Sequence, residues 1–445
     1  MRIGILPAPS PGGGVYQYSL TMLRALRALH ESTQLIDNVV VFTPDAGQLR
    51  SALPTTLEGW QTVPPQPPSL ASSIKSSLVR MIGAGRARRT WWRFRERLVG
   101  SPGMRVFGEM QAQPELNNWF RRWGIELMIY PYDATIAPQA GIPYIFALHD
   151  MAHRLYPEFR ELSDSGDWEV EQTRRQGSIH ATVVLADSDL GRQDILDAYG
   201  RWGLTPDRVR VLPFVPPPYL RADVTPSERQ VVRAKYRLPD RYVFYPADFS
   251  PHKNHVQLIR ALSALRNERG ITVPAVFCGY HSDLLRTDWL SEMQNLVRRH
   301  RLESQVQFLG YVPEEDMSAL YSSATMLVMP TYVGPTVIPV LEAWATNCPV
   351  ITSDIRGVRE QVGDAGLLID PRSFESIATA IHDVWTNETL RTSLVRKGSQ
   401  RLQSYSFETF CRDLSRVLED VQAALSAEHP EQSQISLPAR GTAVP

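Results

Sequence analysis

Short apolar runs alternate with longer amphipathic stretches along most of the chain, and this rhythm predicts the fold. Apolar runs of four or five residues between Gly, Pro or polar residues are typical of strands buried in a parallel sheet. The runs in the first half are Arg2–Leu6, Val39–Thr43, Leu127–Tyr130, Tyr144–Leu148, Thr182–Ala186 and Val209–Pro213. Those in the second half are Tyr242–Tyr245, Pro274–Cys278, Gln305–Leu309, Met326–Met329, Pro349–Thr352 and Gly366–Ile369. Two groups of parallel strands are therefore expected.

Helical patterns lie between most of these runs. Examples are Tyr16–Leu29, Val256–Arg269, Leu284–Arg299 and Phe374–Trp385. Strand, helix and strand at this spacing predict βαβ units and an α/β fold class. Because the series occurs twice, two doubly wound, Rossmann-like domains should face each other across a cleft. Ligands should bind at the carboxyl ends of their strands.

The three prolines Pro216 to Pro218 separate the two halves. Consecutive prolines continue neither a helix nor a central strand, so this segment is interpreted as a stiff linker. A last helical pattern is followed by a stretch rich in Pro, Ser and Gln that is expected to be disordered. The predicted divisions are residues 1–218, residues 219–405, a C-terminal helix at 406–427 and a tail at 428–445.

Composition excludes several classes of protein. The chain has 445 residues, 43% hydrophobic and 21% charged, with a net charge of zero. These values are typical of a soluble globular protein and argue against a nucleic-acid binder with a pervasive basic surface. Its three cysteines form neither a disulfide framework nor a zinc pattern. No apolar run reaches the roughly 18 residues that span a bilayer, so a cytoplasmic protein is expected. Peripheral association with the inner face of the membrane is the other location considered.

The stretch Pro330–Ala343 carries the most chemical information. It follows an apolar run, contains Gly, Thr and two prolines, and leads into a helix expected to begin near Val340, with Glu342 in its first turn. Helix N-termini present unpaired N–H groups that suit anionic phosphate. A carboxylate can accept two hydrogen bonds from a ribose diol. One segment could therefore bind both halves of a sugar nucleotide.

Three further patterns lie at predicted strand ends. A glycine-rich loop containing Gly13 and Gly14 follows the first strand, where a simple flexible turn is an equally good interpretation. Lys253 precedes a helix and could neutralise a diphosphate; the alternative is a solvated loop cation, and Asn254 could cap the helix. His149 and Asp150 end another strand and could contact a sugar or an acceptor, whereas a buried, satisfied histidine is the alternative.

In this order, the glycine loop, His-Asp, Pro-His-Lys-Asn and the Pro-Gly-Pro loop before Leu-Glu-Ala resemble the retaining nucleotide-sugar glycosyltransferases with the GT-B fold (family 4). The resemblance covers most of the chain and is strongest from Tyr242 to Arg401. Gly-Pro-Thr-x-Ile-Pro and Pro-His-Lys-Asn-His are similar to a bacterial subgroup that includes polysaccharide mannosyl- and rhamnosyltransferases.

The resemblance implies roles for particular residues. Glu342 would bind the donor ribose, and Lys253 would contact the diphosphate. The phosphates or the donor sugar would be held by the backbone N–H groups of Thr336, Val337 and Ile338. Gly13 and Gly14 would close over the phosphates, and His149 would touch the sugar. Asp187-Ser188 resembles the serine-containing turn near the acceptor side.

Two positions depart from the family pattern. The family places a second glutamate eight residues before Glu342, where this chain has Gly334, so the identity of the sugar is not carried over. The family's arginine five or six residues before the lysine is replaced by Ala247 and Asp248. His252 or Arg356 is the hypothesised source of the missing positive charge. Without it, the diphosphate leaving group would be poorly stabilised.

The predicted function is that of a retaining glycosyltransferase. It would move a sugar from a nucleotide-diphosphate sugar, such as GDP-mannose, to a glycan or polyprenyl-linked acceptor. Neither a cofactor nor a metal is expected. His149, Asp150 and Lys253 are the predicted catalytic residues. The alternatives are an epimerase or phosphorylase on the same fold, or a non-catalytic two-lobed binding protein.

A basic, aromatic segment lies between Lys75 and Val99. It contains eight cations and one acid, with Trp91, Phe94 and Leu98 at the spacing of one helix face. Cations beside tryptophans suit the headgroup region of an anionic bilayer. Docking to a membrane is one interpretation; an ordinary helix with its arginines in water, or an arginine-rich acceptor pocket, are the others.

Overall fold

The structure, a computed structural model, describes residues 1–9, 13–66, 113–163, 167–279 and 284–428. Two parallel β-sheets with interleaved helices form two lobes. The first sheet has the order β3-β2-β1-β4-β5-β6-β7. Its strands are β1 (Arg2–Ile5), β2 (Asn38–Phe42), β3 (Gln61–Val63), β4 (Leu127–Tyr130), β5 (Tyr144–Ala147), β6 (Val183–Ala186) and β7 (Val209–Val211).

The second sheet has the order β10-β9-β8-β11-β12-β13. Its strands are β8 (Val243–Pro246), β9 (Ala275–Cys278), β10 (Val306–Phe308), β11 (Met326–Met329), β12 (Val350–Ser353) and β13 (Leu367–Ile369). In both sheets the order reverses beside the first strand of the sheet, and such switch points open a crevice at the strands' carboxyl ends. The predicted boundary at residue 218 falls between β7 and β8.

Helices cover both faces of each sheet. Those of the first half are α1 (Gly14–Ser32), α2 (Ala46–Ala52), α3 (Pro114–Arg122), α4 (Ala152–Leu155), α5 (Arg160–Ser163), α6 (Asp167–His180) and α7 (Asp189–Tyr199). The second half contributes α8 (Pro226–Tyr236), α9 (His255–Arg269), α10 (Leu284–Arg299), α11 (Glu314–Ser323), α12 (Ile338–Ala345), α13 (Val358–Val362), α14 (Phe374–Thr386), α15 (Glu388–Leu402) and α16 (Phe407–Glu428). The predicted α/β class with two doubly wound lobes is confirmed.

The twelve predicted strands are all present, with ends that differ by at most two residues. They are recognisable because parallel strands are covered on both faces; β4, β5, β6, β9, β11 and β12 are buried along their whole length. The sequence pattern missed β3. This strand has three residues, of which only Val63 is buried, so it carries almost no apolar run.

The C-terminal helix α16 returns to the first lobe. The ring of Phe410 lies 5.7 Å from that of Tyr18, and the Arg24 guanidinium lies 4.6 Å from the Phe407 ring centroid. Arg210 also pairs with Asp420 at 2.9 Å. The chain therefore crosses between the lobes twice, which the sequence pattern did not predict. Within the described ranges, no helix is long and apolar enough to cross a bilayer.

Two predicted segments lie outside the described residues. They are the basic segment between Lys75 and Val99 and, apart from Glu428 at the end of α16, the tail at 428–445. Residues 10–12 of the glycine-rich loop are outside them as well.

Candidate active site between the lobes

The loop after β11 is shaped by glycines and leads into α12. Gly334 has φ +143°, a conformation that residues with a Cβ rarely adopt. A Cβ on Gly357 would lie 2.4 Å from the Pro335 carbonyl oxygen, so the loop before α13 packs backbone to backbone against this one. The family's glutamate at position 334 is therefore absent from a place where the backbone itself favours glycine.

The helix after this loop begins earlier than predicted. It starts at Ile338 rather than near Val340, so Glu342 lies in its second turn and the prediction of a first-turn carboxylate is wrong. Of the three amides predicted to hold phosphate, that of Val337 donates to Gln361 Oε1 at 2.8 Å, and Gln361 Nε2 donates back at 3.0 Å. This correction leaves the amides of Thr336 and Ile338 as the candidates.

Glu342 is a buried carboxyl group with two tyrosine donors. Its side chain accepts a hydrogen bond from the Tyr321 hydroxyl at 2.6 Å and another from Tyr219. Burial raises the pKa of Glu342 to about 7, and the two tyrosine hydrogen bonds oppose that rise. The group can therefore be an anion just above neutral pH, when it would accept hydrogen bonds from a diol.

A backbone hydrogen bond joins the Lys253 loop to the Glu342 loop, and β8 supplies a further contact to the Lys253 loop. The Tyr332 N–H donates to the His252 carbonyl at 2.8 Å, and the Tyr245 hydroxyl donates to the Lys253 carbonyl at 2.6 Å. Lys253 ends a short 3₁₀ helix, Pro251–Lys253. The structure thus brings together the two loops that the sequence singled out.

Asn254 does not cap α9 with its side chain, contrary to the predicted alternative. It has left-handed backbone angles, φ 59° and ψ 37°, and its amide donates at 2.7 Å to the carbonyls of Pro330 and Pro371. Since these carbonyls follow β11 and β13, this buried amide ties three strand-end loops together and stabilises the position of Lys253 beside them.

His252 does not supply the missing positive charge. Its ring Nδ1 lies 2.9 Å from Oε1 of Glu161, a residue of α5 in the first lobe. The backbone N–H of His252 donates to the same oxygen. Burial lowers the pKa of His252, so the ring is neutral at pH 7 despite this partner. The residue predicted to touch the donor instead fastens the Lys253 loop to the first lobe.

Arg356 is placed better for that purpose. It lies in the loop after β12, next to the Gly357 that touches Pro335, and lines a depression shared with Asp150 and Tyr156 of the first lobe. Its Nη1 lies 2.5 Å from Oδ1 of Asp194, a residue of α7 whose side chain is 9% exposed. The structure therefore places a second cation in the cleft, already paired across it.

The glycine loop of the first lobe meets the Glu342 loop. Gly13 has φ +78° and stands just before α1, and a Cβ on Gly14 would lie 2.5 Å from Cδ1 of Ile338. The Gln17 amide also donates to Glu314 Oε1 at 2.6 Å across the lobes. This close approach is the arrangement that the sequence predicted for the two phosphate-binding loops.

His149 lies two residues after β5, among aromatic rings. The Tyr18 ring lies 4.7 Å and the Phe214 ring 5.0 Å from it, centroid to centroid. Its Nε2 lies 3.0 Å from the Pro131 carbonyl, which can only accept, so Nε2 carries the proton and Nδ1 is the acceptor nitrogen. Burial lowers the pKa of His149, which keeps the ring neutral.

Asp150 remains ionised because of Arg174. Burial alone would raise its pKa, but the Arg174 guanidinium, with Nη1 at 3.4 Å from Oδ1, and the Ala152 N–H bring it below the usual value. Arg174 also donates to Asp133 at 2.8 Å. Arg174 thus fixes two partly exposed carboxylates beyond the ends of β4 and β5, an arrangement suited to sugar hydroxyls.

Asp187 follows β6, in the Asp187-Ser188 turn that resembles the family's turn near the acceptor side. It is buried, and the hydroxyls of Ser188 and of Thr336 in the opposite lobe donate to it. Burial raises its pKa to about 7, the hydroxyls oppose this, and nearby Asp150 adds to it. Ser188 caps α7 by accepting from the Gly191 N–H at 3.0 Å, so its hydroxyl has a structural role.

No metal-binding cluster of three or more His, Cys, Asp or Glu occurs in the described part of the chain. The expectation of a metal-independent, cofactor-free reaction stays a prediction.

Two similar lobes that face each other across a cleft define the GT-B class of fold, and solved structures agree. HepE of Anabaena, in complex with UDP and glucose, aligns with a TM-score of 0.67 and 17% identity over 94% of this chain and 100% of that one. The lipopolysaccharide glycosyltransferase WaaG aligns with a TM-score of 0.60 and 14% identity over 94% and 99%. The predicted GT-B architecture is confirmed.

Residues 228–401 match the model of the family described as glycosyl transferases group 1, and they include the Lys253 loop, Gly334 and Glu342. The matched residues make up less than half of the chain. O-antigen chain mannosyltransferase B of Escherichia coli is 28% identical over 242 residues, 54% of this chain and 61% of that protein. The E. coli mannosyltransferase WbdA is 24% identical over 261 residues, 58% of this chain and 31% of that protein. The matched region covers less than two thirds of either relative.

Proposed function

We propose that the protein is a retaining glycosyltransferase that moves a sugar from a nucleotide-diphosphate sugar to the hydroxyl of a glycan or lipid-linked acceptor. The observation that carries this is the meeting of four features in one cleft: the buried Glu342, the Lys253 loop, the turn before α12 and the glycine loop of the first lobe. Each has a chemistry that a sugar nucleotide requires.

In the proposed complex, Glu342 accepts hydrogen bonds from the two pentose hydroxyls. The diphosphate lies towards the start of α12, where backbone N–H groups and the helix dipole favour negative charge. Lys253 and Arg356 add positive charge there. Because negative charge grows on the diphosphate as the sugar departs, groups fixed at this place stabilise the transition state more than the bound substrate.

The acceptor side belongs to the first lobe. His149 is neutral, and its Nδ1 can accept from a hydroxyl of the donor sugar. Asp150 and Asp133, held by Arg174, accept from hydroxyls of the acceptor. Attack on the same face that the diphosphate leaves gives retention, with positioning and electrostatics as the enzyme's main contributions.

GDP-mannose is the proposed donor, and a growing polysaccharide the proposed acceptor, since two relatives to which the chain is similar are named as mannosyltransferases. The test is a panel of sugar nucleotides with a mannosyl acceptor. Diphosphate release that depends on the acceptor, with an α-linked product from an α-linked donor, is expected. Release that does not respond to acceptor, or an inverted product, would refute the proposal.

Attachment to the inner face of an anionic membrane through residues 75–99 is a separate part of the proposal. Flotation with anionic liposomes should carry the protein to the top of the gradient. Neutralising Arg88, Arg89 and Arg93 together should abolish this, and failure of the unmodified protein to float would remove the idea.

A further inference from the structure

The segment that joins the lobes touches a candidate site residue at each of its ends. At its start, Phe214 lies 5.0 Å from the His149 ring, and the Leu212 carbonyl accepts from the Tyr18 hydroxyl at 3.2 Å. At its end, Tyr219 donates to the Glu342 carboxyl group. The linker is therefore part of the walls of the cleft.

Helix α11 holds this end of the linker in place. The Ser318 hydroxyl donates to the Tyr219 carbonyl at 3.0 Å and accepts from the Arg221 N–H at 3.2 Å. The same helix carries Tyr321, whose hydroxyl lies 2.6 Å from Glu342 Oε2. One helix thus fixes both tyrosines that donate to the carboxylate.

We propose that Tyr219 is a positioning residue for Glu342, through which the interlobe linker orients the carboxylate that receives the donor pentose. This inference rests on the proposed function, because it assigns Tyr219 a task in nucleotide binding.

The physical reason is the cost of a buried anion. A carboxylate has about four acceptor positions, and those not occupied by the protein are left for a ligand. Glu342 lies near a second carboxylate, Glu314, and near the buried thiol of Cys278, neither of which favours its charge. The tyrosine hydroxyls are the groups on the linker and α11 that do favour it. Losing one makes the protonated form, a weaker acceptor, more abundant at neutral pH.

The experiment compares Tyr219→Phe with Tyr236→Phe. Tyr236 is a matched control because its hydroxyl also donates to a carboxylate of α11, Asp316, at 2.6 Å, but outside the cleft. The titration of Glu342 without ligand is followed by carboxyl-carbon NMR and assigned with Glu342→Gln. The affinity for GDP and UDP is measured by calorimetry from pH 6 to pH 9.

Tyr219→Phe should raise the titration midpoint of Glu342 by about half a pH unit or more, since it removes a hydrogen bond to the ionised form. Nucleotide affinity should fall about twofold or more at pH 7 and recover almost fully at pH 9, because the shift lowers the ionised fraction of Glu342 at pH 7 but not at pH 9. Tyr236→Phe should change neither midpoint nor affinity. The phosphate's own titration is common to all variants.

An unchanged midpoint in Tyr219→Phe, or a loss of affinity that is equal at every pH, would overturn this inference alone. A wild-type protein that binds neither nucleotide would instead overturn the proposed function, and Tyr219's task with it.

Discussion

Glu342 and Asp187 are two buried carboxyl groups in the same cleft, and burial raises the pKa of each to about 7. Their partners come from different places. The hydroxyls that donate to Glu342 belong to its own lobe and to the linker, whereas Asp187 receives one hydrogen bond from Thr336 of the opposite lobe. The first environment survives if the lobes part; the second does not.

This difference separates the contacts made within the second lobe from those that depend on the position of the two lobes. In the proposed complex the second lobe carries a preformed donor site, with Asn254 fixing the strand-end loops and two tyrosines fixing Glu342. The acceptor side is completed by contacts that require closure: Asp187 with Thr336, Glu161 with His252, and Asp194 with Arg356. Donor binding should therefore tolerate mutations in the first lobe better than turnover does.

The largest expected effect is a loss of turnover when a residue on the donor side is replaced. Lys253→Ala should lower kcat by about a hundredfold, while donor affinity changes by less than about threefold, because charge on the leaving group grows during reaction. Steady-state kinetics with calorimetry of the donor measures both. Lys235→Ala, which removes an amine paired with Asp316 outside the cleft, is the control. Equal losses in kcat and affinity would contradict this role.

On the acceptor side, the pH dependence of protein stability tests the environment of Asp187. Asp187 has a folded pKa raised from 3.8 to about 7, so its stabilising contribution is fully present below about pH 4 and is lost as pH rises to about 7. Asp187→Asn should flatten this fall, which is on the order of 1–3 kcal/mol. Melting temperatures from pH 4 to pH 8 measure it, with Asp197→Asn, an exposed residue of α7, as control. Parallel curves for wild type and Asp187→Asn would refute it.

The smallest effect concerns Arg356, which is half exposed. Arg356→Ala should raise the donor KM about threefold to tenfold, a modest change because solvent screens the charge. Asp194→Asn distinguishes a direct contact from a structural one. If Arg356 binds the diphosphate, releasing it from Asp194 should leave KM unchanged or lower it. A rise in KM equal to that of Arg356→Ala would show that the ion pair itself matters.

The strands, and the positions of the two loops that meet at Gly14 and Ile338, could be predicted from the sequence because both depend on local pattern. Buried parallel strands are apolar runs, and glycines mark places such as Gly334 where φ is positive. The start of α12 was placed two residues late, since Pro339 and the β-branched residues beside it obscure the helical period.

The tertiary partners could not be predicted in this way. Asn254 has the right type and position for a cap, yet its amide is taken by two carbonyls distant in sequence. The sequence shows only that His252 precedes a lysine, and its contact with Glu161 of the other lobe becomes apparent only in the structure. Nothing in the sequence around Tyr219 indicates that its hydroxyl reaches Glu342, since that contact depends on how α11 holds the linker.

In the proposed mechanism the second lobe binds a nucleotide through Glu342 without help from the acceptor side. Calorimetry of GDP and UDP at pH 8 with Glu342→Gln and Asp187→Asn is the decisive measurement. Glu342→Gln should weaken binding about tenfold or more, since an amide replaces a charged acceptor, while Asp187→Asn should bind as the wild type does. Unchanged affinity in Glu342→Gln, or an equal loss in both variants, would contradict the account.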